Sequence, residues 1–219
     1  MAMSKAEAQK AVRPDPRRTR TREAILAAAR KLFGEHYAAG VSIDQITRTA
    51  GVSKQSFYNH FRDKDHLVRE VLLTLRSDWV ALARSANAGE PDPAKRLAIA
   101  MCIFGQRAAR DPSGARIFAR LPLIEVTLDA TLNDSVAADA REALAKGRLA
   151  IFNIETGIAL MVASAQALIS RISADDNPAL AQTRCQQFAT LVLRAFGLTA
   201  IEAELIASEA ADRVFQRGQ

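Results

Sequence analysis

The sequence predicts an all-α protein, a small helix-turn-helix unit followed by a larger helical domain. Three observations carry this prediction. Apolar residues recur at helical spacing from the first quarter of the chain to its end. Breakers are scarce, with 10 Gly and 7 Pro among 219 residues, and they fall mostly where one helix should stop or the next begin. Charge is lopsided: residues 1–64 hold 13 of the 30 Lys and Arg but only 6 of the 24 Asp and Glu, while the remainder is close to neutral. A basic unit ahead of a near-neutral helical body suits the binding of phosphates.

Taken in order, residues 1–16 read as a polar, basic arm. The first helix starts at Asp15-Pro16 or at Thr19 and turns Ile25, Ala28, Ala29, Leu32 and Phe33 inward. Residues 42–61 (SIDQITRTAGVSKQSFYNHF) form two short helices joined by a tight turn. Ser42 is an N-cap for a helix whose buried face is Ile43, Ile46 and Ala50. Gly51 ends it in a left-handed backbone, Val52 plugs the turn, and Ser53 caps a second helix running to Phe61. Phe57 and Phe61, four apart, bury that helix. Lys54, Gln55, Ser56, Tyr58, Asn59 and His60 stay exposed, and they are donors and acceptors suited to base edges and phosphates.

A long helix follows from residue 64, with Leu67, Val71, Leu72, Leu75, Trp79 and Leu82 inward, and ends near Gly89. Asp92-Pro93 starts a helix that runs to about residue 111, proline being well placed at a first helical position. A short helix over 116–121 stops at Pro122, and another spans 132–146 with Gly147 as its stop. Helices over 155–173 and 178–196 come next. Thr199 and Glu202 then make a capping box for a last helix to about residue 217. No apolar run approaches a membrane span and no signal segment is visible, so a cytoplasmic protein without a membrane partner is expected. Cys102 and Cys185 stand far from any metal-ligand spacing and read as reduced, buried hydrophobes; no metal or cofactor is expected.

An enzyme is the first competing reading. His36, His60 and His66 all lie in or beside the basic unit, and no phosphate loop, metal pair or nucleophile elbow occurs. A helix-turn-helix used only for protein contacts is the second, and the lopsided charge argues against it.

Residues 21–33 (TREAILAAARKLF) with 41–68 (VSIDQITRTAGVSKQSFYNHFRDKDHLV) resemble the DNA-binding domain of TetR-family transcriptional regulators. The likeness lies in the Thr21-Arg22 start, the Leu32-Phe33 end, the Ala50-Gly51-Val52-Ser53 turn, the 57–61 run FYNHF, and Lys64 with Leu67. Residues 36–40 (HYAAG) depart from the usual Gly-rich link, and Gln55 replaces a residue that is commonly small.

The resemblance implies a DNA-binding domain over 17–64, and an effector-binding and dimerisation domain over 65–219. It implies a repressor that binds a palindromic operator as a dimer and is released by a small-molecule effector; an activator of the same family is the alternative. Gln55, Ser56 and Asn59 would read bases. Tyr58, His60, Lys64, Ser42 and Thr21 or Arg22 would hold phosphates, with Lys54 serving either role and Ser53 at the same surface. The dimer would form through Ile158, Met161, Val162 and Ala165 on one helix, and Phe188, Leu191, Val192 and Ala195 on the next. The effector would sit among Trp79, Phe104, Phe118 and Phe152, with Gln106, Arg107, Arg120 and Asn153 as polar contacts.

Overall fold

The computed structural model describes residues 15–119, 130–151, 153–175 and 177–216, and among these it contains ten α-helices and no strand. The first, α1 (Pro16–Glu35), opens on Asp15, whose carboxylate accepts from the Arg17 N–H at 3.0 Å, with Pro16 in the first turn. The same Asp-Pro device opens α5 (Pro93–Arg110), where Asp92 accepts from the Ala94 N–H at 3.0 Å. It recurs at α6 (Pro112–Ala119), where Asp111 accepts from the Gly114 N–H at 3.0 Å. A start near residue 116 was expected there, with Pro112 read as a stop. Proline serves both purposes, because its missing N–H is no loss in a first turn.

Between them lie α2 (Ile43–Ala50), α3 (Lys54–Tyr58) and α4 (Lys64–Ala86). Helix α2 has a full capping box: the Gln45 N–H donates to Ser42 Oγ at 3.2 Å, and the Ser42 N–H donates to Gln45 Oε1 at 2.8 Å. Gly51, at φ +67°, ends it in the left-handed region. Helix α3 is five residues long and stops short of the expected Phe61, since Asn59 and His60 turn out of it. Phe57 and Phe61 are nonetheless both fully buried, their ring centroids 5.7 Å apart. They pack with Ile25, Ala29, Phe33 and Ile46, and with Leu67 and Val71 of α4. Residue 64, where a boundary was expected, is thus the first residue of α4, and the core beneath α3 continues along that helix.

The larger bundle is built around α5, with α7 (Ala130–Ala145), α8 (Ile154–Ser173), α9 (Ala181–Ala195) and α10 (Ala200–Gln216) packed about it. Helix α5 is covered on nearly every side, burying Leu97, Ile99, Met101 and Cys102. Cys102 and Cys185 meet between α5 and α9, where the Cys185 thiol points to the Cys102 carbonyl at 3.8 Å and both are shut off from solvent. The hydrogen bond with the Cys185 thiol, and then burial, hold the Cys102 thiol well above its ordinary pKa. Arg148 bridges the starts of α5 and α10, donating to Asp92 at 2.8 Å and Glu202 at 2.5 Å. Glu202 thus turns to Arg148, while its own N–H donates to Thr199 Oγ1 at 3.3 Å. Two boundaries shift inward: α4 ends before Asn87, and α9 begins after a separate 3₁₀ turn, Pro178–Leu180.

Helix α8 corrects one expectation. It is 20 residues long, with a mean hydropathy of 1.3 over an 18-residue window, which is long and apolar enough to cross a membrane by length and composition alone. Its hydropathy comes mainly from isoleucines, leucines and Val162, with alanines between them, and Thr156, Ser164 and Gln166 interrupt it, so no continuous run announces it. Only 28% of that window is buried within the chain.

The two units dock through α1 and α6. Arg116 donates to the Gly34 carbonyl at 2.6 Å, and Arg30 pairs with Asp111 at 2.5 Å. Backbones come close here: a Cβ on Gly34 would lie 2.8 Å from the Ser113 Cβ.

Candidate nucleic-acid interface and ligand cavity

The polar face of α3 and the first turn of α1 share one hollow, lined by Asp15, Arg17, Arg18, Thr21, Ser56, Asn59 and His60. Two arginines, two hydroxyls, an amide and an imidazole there make a donor-rich surface with one carboxylate. Several side chains expected at this surface are also engaged in holding it together. Ser53 caps α3 through the Ser56 N–H at 3.1 Å. Gln55 Nε2 donates to Asn59 Oδ1 at 3.4 Å, so the two amides form one edge. Lys54 reaches back to Asp44 at 2.6 Å. Tyr58 is exposed, lying edge-on to Phe57.

Three of the expected phosphate ligands have partners within the chain, though Thr21 still lines the hollow. Lys64 points inward and donates to the carbonyls of Ala39 at 3.2 Å and Val41 at 3.1 Å. Arg22 is paired with Glu70 of α4, its guanidinium 5.5 Å from the Phe61 ring centroid. The Thr21 hydroxyl donates to the Arg17 carbonyl at 3.0 Å. Beside Thr21 in the hollow stand Arg17 and Arg18, which had not been singled out although both lie in the basic first turn. His60 is held below its ordinary pKa, by partial burial first and then by Arg18 and Arg22.

A second site lies in the bundle, a cavity of about 320 Å³ between α4, α5, α6, α7 and α8. Phe104, Phe118, Met101, Met161, Val162 and Ala165 supply apolar wall. Arg76, Arg84, Asn87, Arg96, Asn133, Ser135, Asp139 and Gln166 are its polar members. Of the expected ligand contacts, Phe104 and Phe118 line it. Trp79 is fully buried behind them, its ring 4.6 Å from Phe118 and 5.7 Å from Phe104. Gln106 faces α10 instead, donating to the Val214 carbonyl at 2.6 Å. Arg107 lies off the wall, and Asn153 is an exposed cap for α8, accepting from the Thr156 N–H at 2.7 Å. Arg120 and Phe152 lie outside the described residues.

The polar members were missed because most follow from tertiary placement. Arg76 alone carried a signal: it sits on the stripe of Leu72, Leu75, Trp79 and Ala83 and is itself buried. Arg76 donates to Asn133. Arg96 donates to Asp139 at 2.7 Å, to the Glu90 carbonyl at 3.0 Å, and to Glu142. Burial raises the Asp139 carboxyl above its usual range, which the Arg96 pairing does not offset.

The expected interface residues separate into two groups. Met161, Val162 and Ala165 face the cavity, and Val192 is buried in the core. A helix between two surfaces turns only one face outward, and these four lie on the inward one. Leu191 is 62% exposed and Ala195 is exposed, while Ile158 and Phe188 are half-buried. Leu160, Ala167 and Leu180 complete an uncovered apolar face on α8 and α9.

Comparison with known proteins bears on both sites. Residues 25–71 match the family model of bacterial regulatory proteins of the tetR family. Residues 92–209 match that of the tetracyclin repressor-like C-terminal domain. Over 78 residues the chain is 41% identical to the HTH-type transcriptional regulator HbdR of Aromatoleum sp. (strain CIB), a stretch covering 35% of this chain and 33% of that protein. Over 51 residues it is 37% identical to the HTH-type transcriptional regulator AcrR of Shigella flexneri, covering 23% and 24%. The matched stretches thus span no more than about a third of either relative. Among solved structures, RolR in complex with resorcinol superposes with a TM-score of 0.72 at 25% identity, covering 88% of this chain and 95% of RolR. The fatty acid degradation regulator FadR from Bacillus halodurans shares the fold at 19% identity, with a TM-score of 0.62 over 80% of this chain and 96% of that one.

Proposed function

Because the chain belongs to the tetR family of bacterial regulatory proteins, we propose that it is a ligand-responsive repressor that binds a two-fold symmetric operator as a dimer. One observation carries this reading: α4 is common to both sites. Its first turns place Leu67 and Val71 in the core beneath α3, and its later turns place Arg76, Val80 and Ala83 on the cavity wall. A ligand that favours one tilt of α4 therefore changes the pose of α3. Helix α6 gives a second route, since Phe118 lines the cavity while Arg116 holds the end of α1.

In this reading Gln55, Ser56 and Asn59 meet base edges, and Arg17, Arg18, Tyr58 and His60 meet phosphates. Ser42 and Lys64 keep the frame in register. The uncovered face of α8 and α9 pairs with its two-fold copy, which sets two copies of α3 at the half-site spacing of a palindrome. RolR, crystallised with resorcinol, supports a small organic effector in a bundle of this shape.

The test is fluorescence anisotropy on duplexes selected from random DNA. Tight binding to a palindrome, falling steeply with salt and weakened about 5- to 150-fold by an effector, is expected. Equal affinity for selected and random duplexes would remove the operator reading.

A further inference from the structure

The cavity walls say which chemistry they accept. Arg96 looks at first like a seat for a carboxylate, but each of its three nitrogens already has a partner: Asp139, the Glu90 carbonyl and Glu142. Arg84 is exposed at the mouth, and an anion there would keep most of its hydration. Arg76 is likewise engaged, donating to Asn133, and the wall offers acceptors as well. Arg96 engages one oxygen of Asp139 and leaves the other. Asn87 donates through Nδ2 to the Arg96 carbonyl at 3.1 Å, while its Oδ1 is buried without a hydrogen-bond partner. A buried acceptor of this kind favours a molecule that supplies a donor. Beside the acceptors stand the rings of Phe104 and Phe118, with the thioethers of Met101 and Met161, all well matched to a flat apolar body.

We propose that the effector is a neutral hydroxyl-bearing aromatic of the phenol class, its ring against Phe104 and Phe118 and its hydroxyl donating to Asp139; a second hydroxyl, where the ring carries one, has Asn87 Oδ1 as its acceptor. The inference rests on the reading of this cavity as the effector site. Carboxylic acids of the same size are disfavoured, because they would bring a further negative charge to Asp139, which already feels that of Glu142.

Trp79, the sole tryptophan, touches both phenylalanines and reports on the cavity by its fluorescence. The full-length protein is titrated with 4-ethylphenol, 4-ethylanisole and 4-ethylbenzoate. Saturable binding of the phenol is expected, with the anisole and the benzoate each weaker by about tenfold or more. Asp139→Asn should weaken the phenol by about tenfold and leave the anisole unchanged, with circular dichroism melts confirming the fold. An anisole as tight as the phenol, or a benzoate tighter than it, overturns the inference and leaves the effector cavity standing. If Asp139→Asn does not fold, the ligand series on the unaltered protein still decides. No saturable response from any of the three overturns the effector reading itself, and the inference with it.

Discussion

His60 shows how a single side chain on the DNA face carries information about its surroundings. Burial and the two arginines, Arg18 and Arg22, lower its pKa, so near neutrality it is uncharged in the free protein. A phosphate beside it acts in the opposite direction and raises the pKa in the complex. The gain from the proton is then complete below the free-state pKa and is lost as pH rises through the bound-state pKa. Operator affinity should therefore be higher at about pH 6 than at about pH 8, and His60→Gln should flatten this difference in anisotropy titrations. Gln55 and Arg18 should differ in kind. Gln55→Ala should cost about 1–3 kcal/mol at one base position and relax specificity there. Arg18→Ala should weaken selected and random duplexes alike and lower the salt slope by about one. Residues such as Gln55, Ser56 and Asn59 were legible because exposure on a short capped helix is decided locally. Arg22 was not, because its partner Glu70 lies 48 residues along the chain.

At the scale of elements, an Asp-Pro pair is a dependable start signal, which Asp111-Pro112, expected as a stop, obeys as well. Asp15-Pro16 and Asp92-Pro93 combine a side-chain acceptor with a preset φ, and both begin helices as expected. The end of α3 could not be read, since Phe61 keeps its buried place whether the backbone before it is helical or turned. Asp92 allows a quantitative check. Burial pushes its carboxyl upward, but Arg148 and the Ala94 N–H outweigh that and leave it below the usual range. A carboxyl lowered in this way stabilises the fold at neutral pH and loses its contribution as pH falls through its folded-state value. Asp92→Ala should cost about 1 kcal/mol at pH 7, and urea midpoints should show the gap to the parent protein closing toward acid. Gly51→Ala should likewise cost about 1 kcal/mol, because an alanine at φ +67° is strained even where space is open. Its expected signature is a lower thermal midpoint and weaker operator binding.

The molecule as a whole holds one continuous core, in which α4 and the contact of α1 with α6 tie the helix-turn-helix to the bundle. The sequence marked its basic unit and its helical body, since charge and periodicity survive averaging along the chain. The cavity was legible only in part. Phe104 and Phe118 were identifiable as ring-bearing positions, but Asp139 and Asn87 gained their place from the packing of α4 and α5 against α7. The uncovered face of α8 and α9 sets the last prediction. Leu191→Glu puts a charge at its most exposed leucine and should give a monomer by sedimentation velocity, with operator affinity falling along with it. The buried cysteines offer a different kind of access. Sealed between α5 and α9, Cys102 and Cys185 react with an alkylating reagent only when that seam parts. The rate of their labelling is thus a clock for breathing of the bundle, and an effector that locks the cavity should slow it.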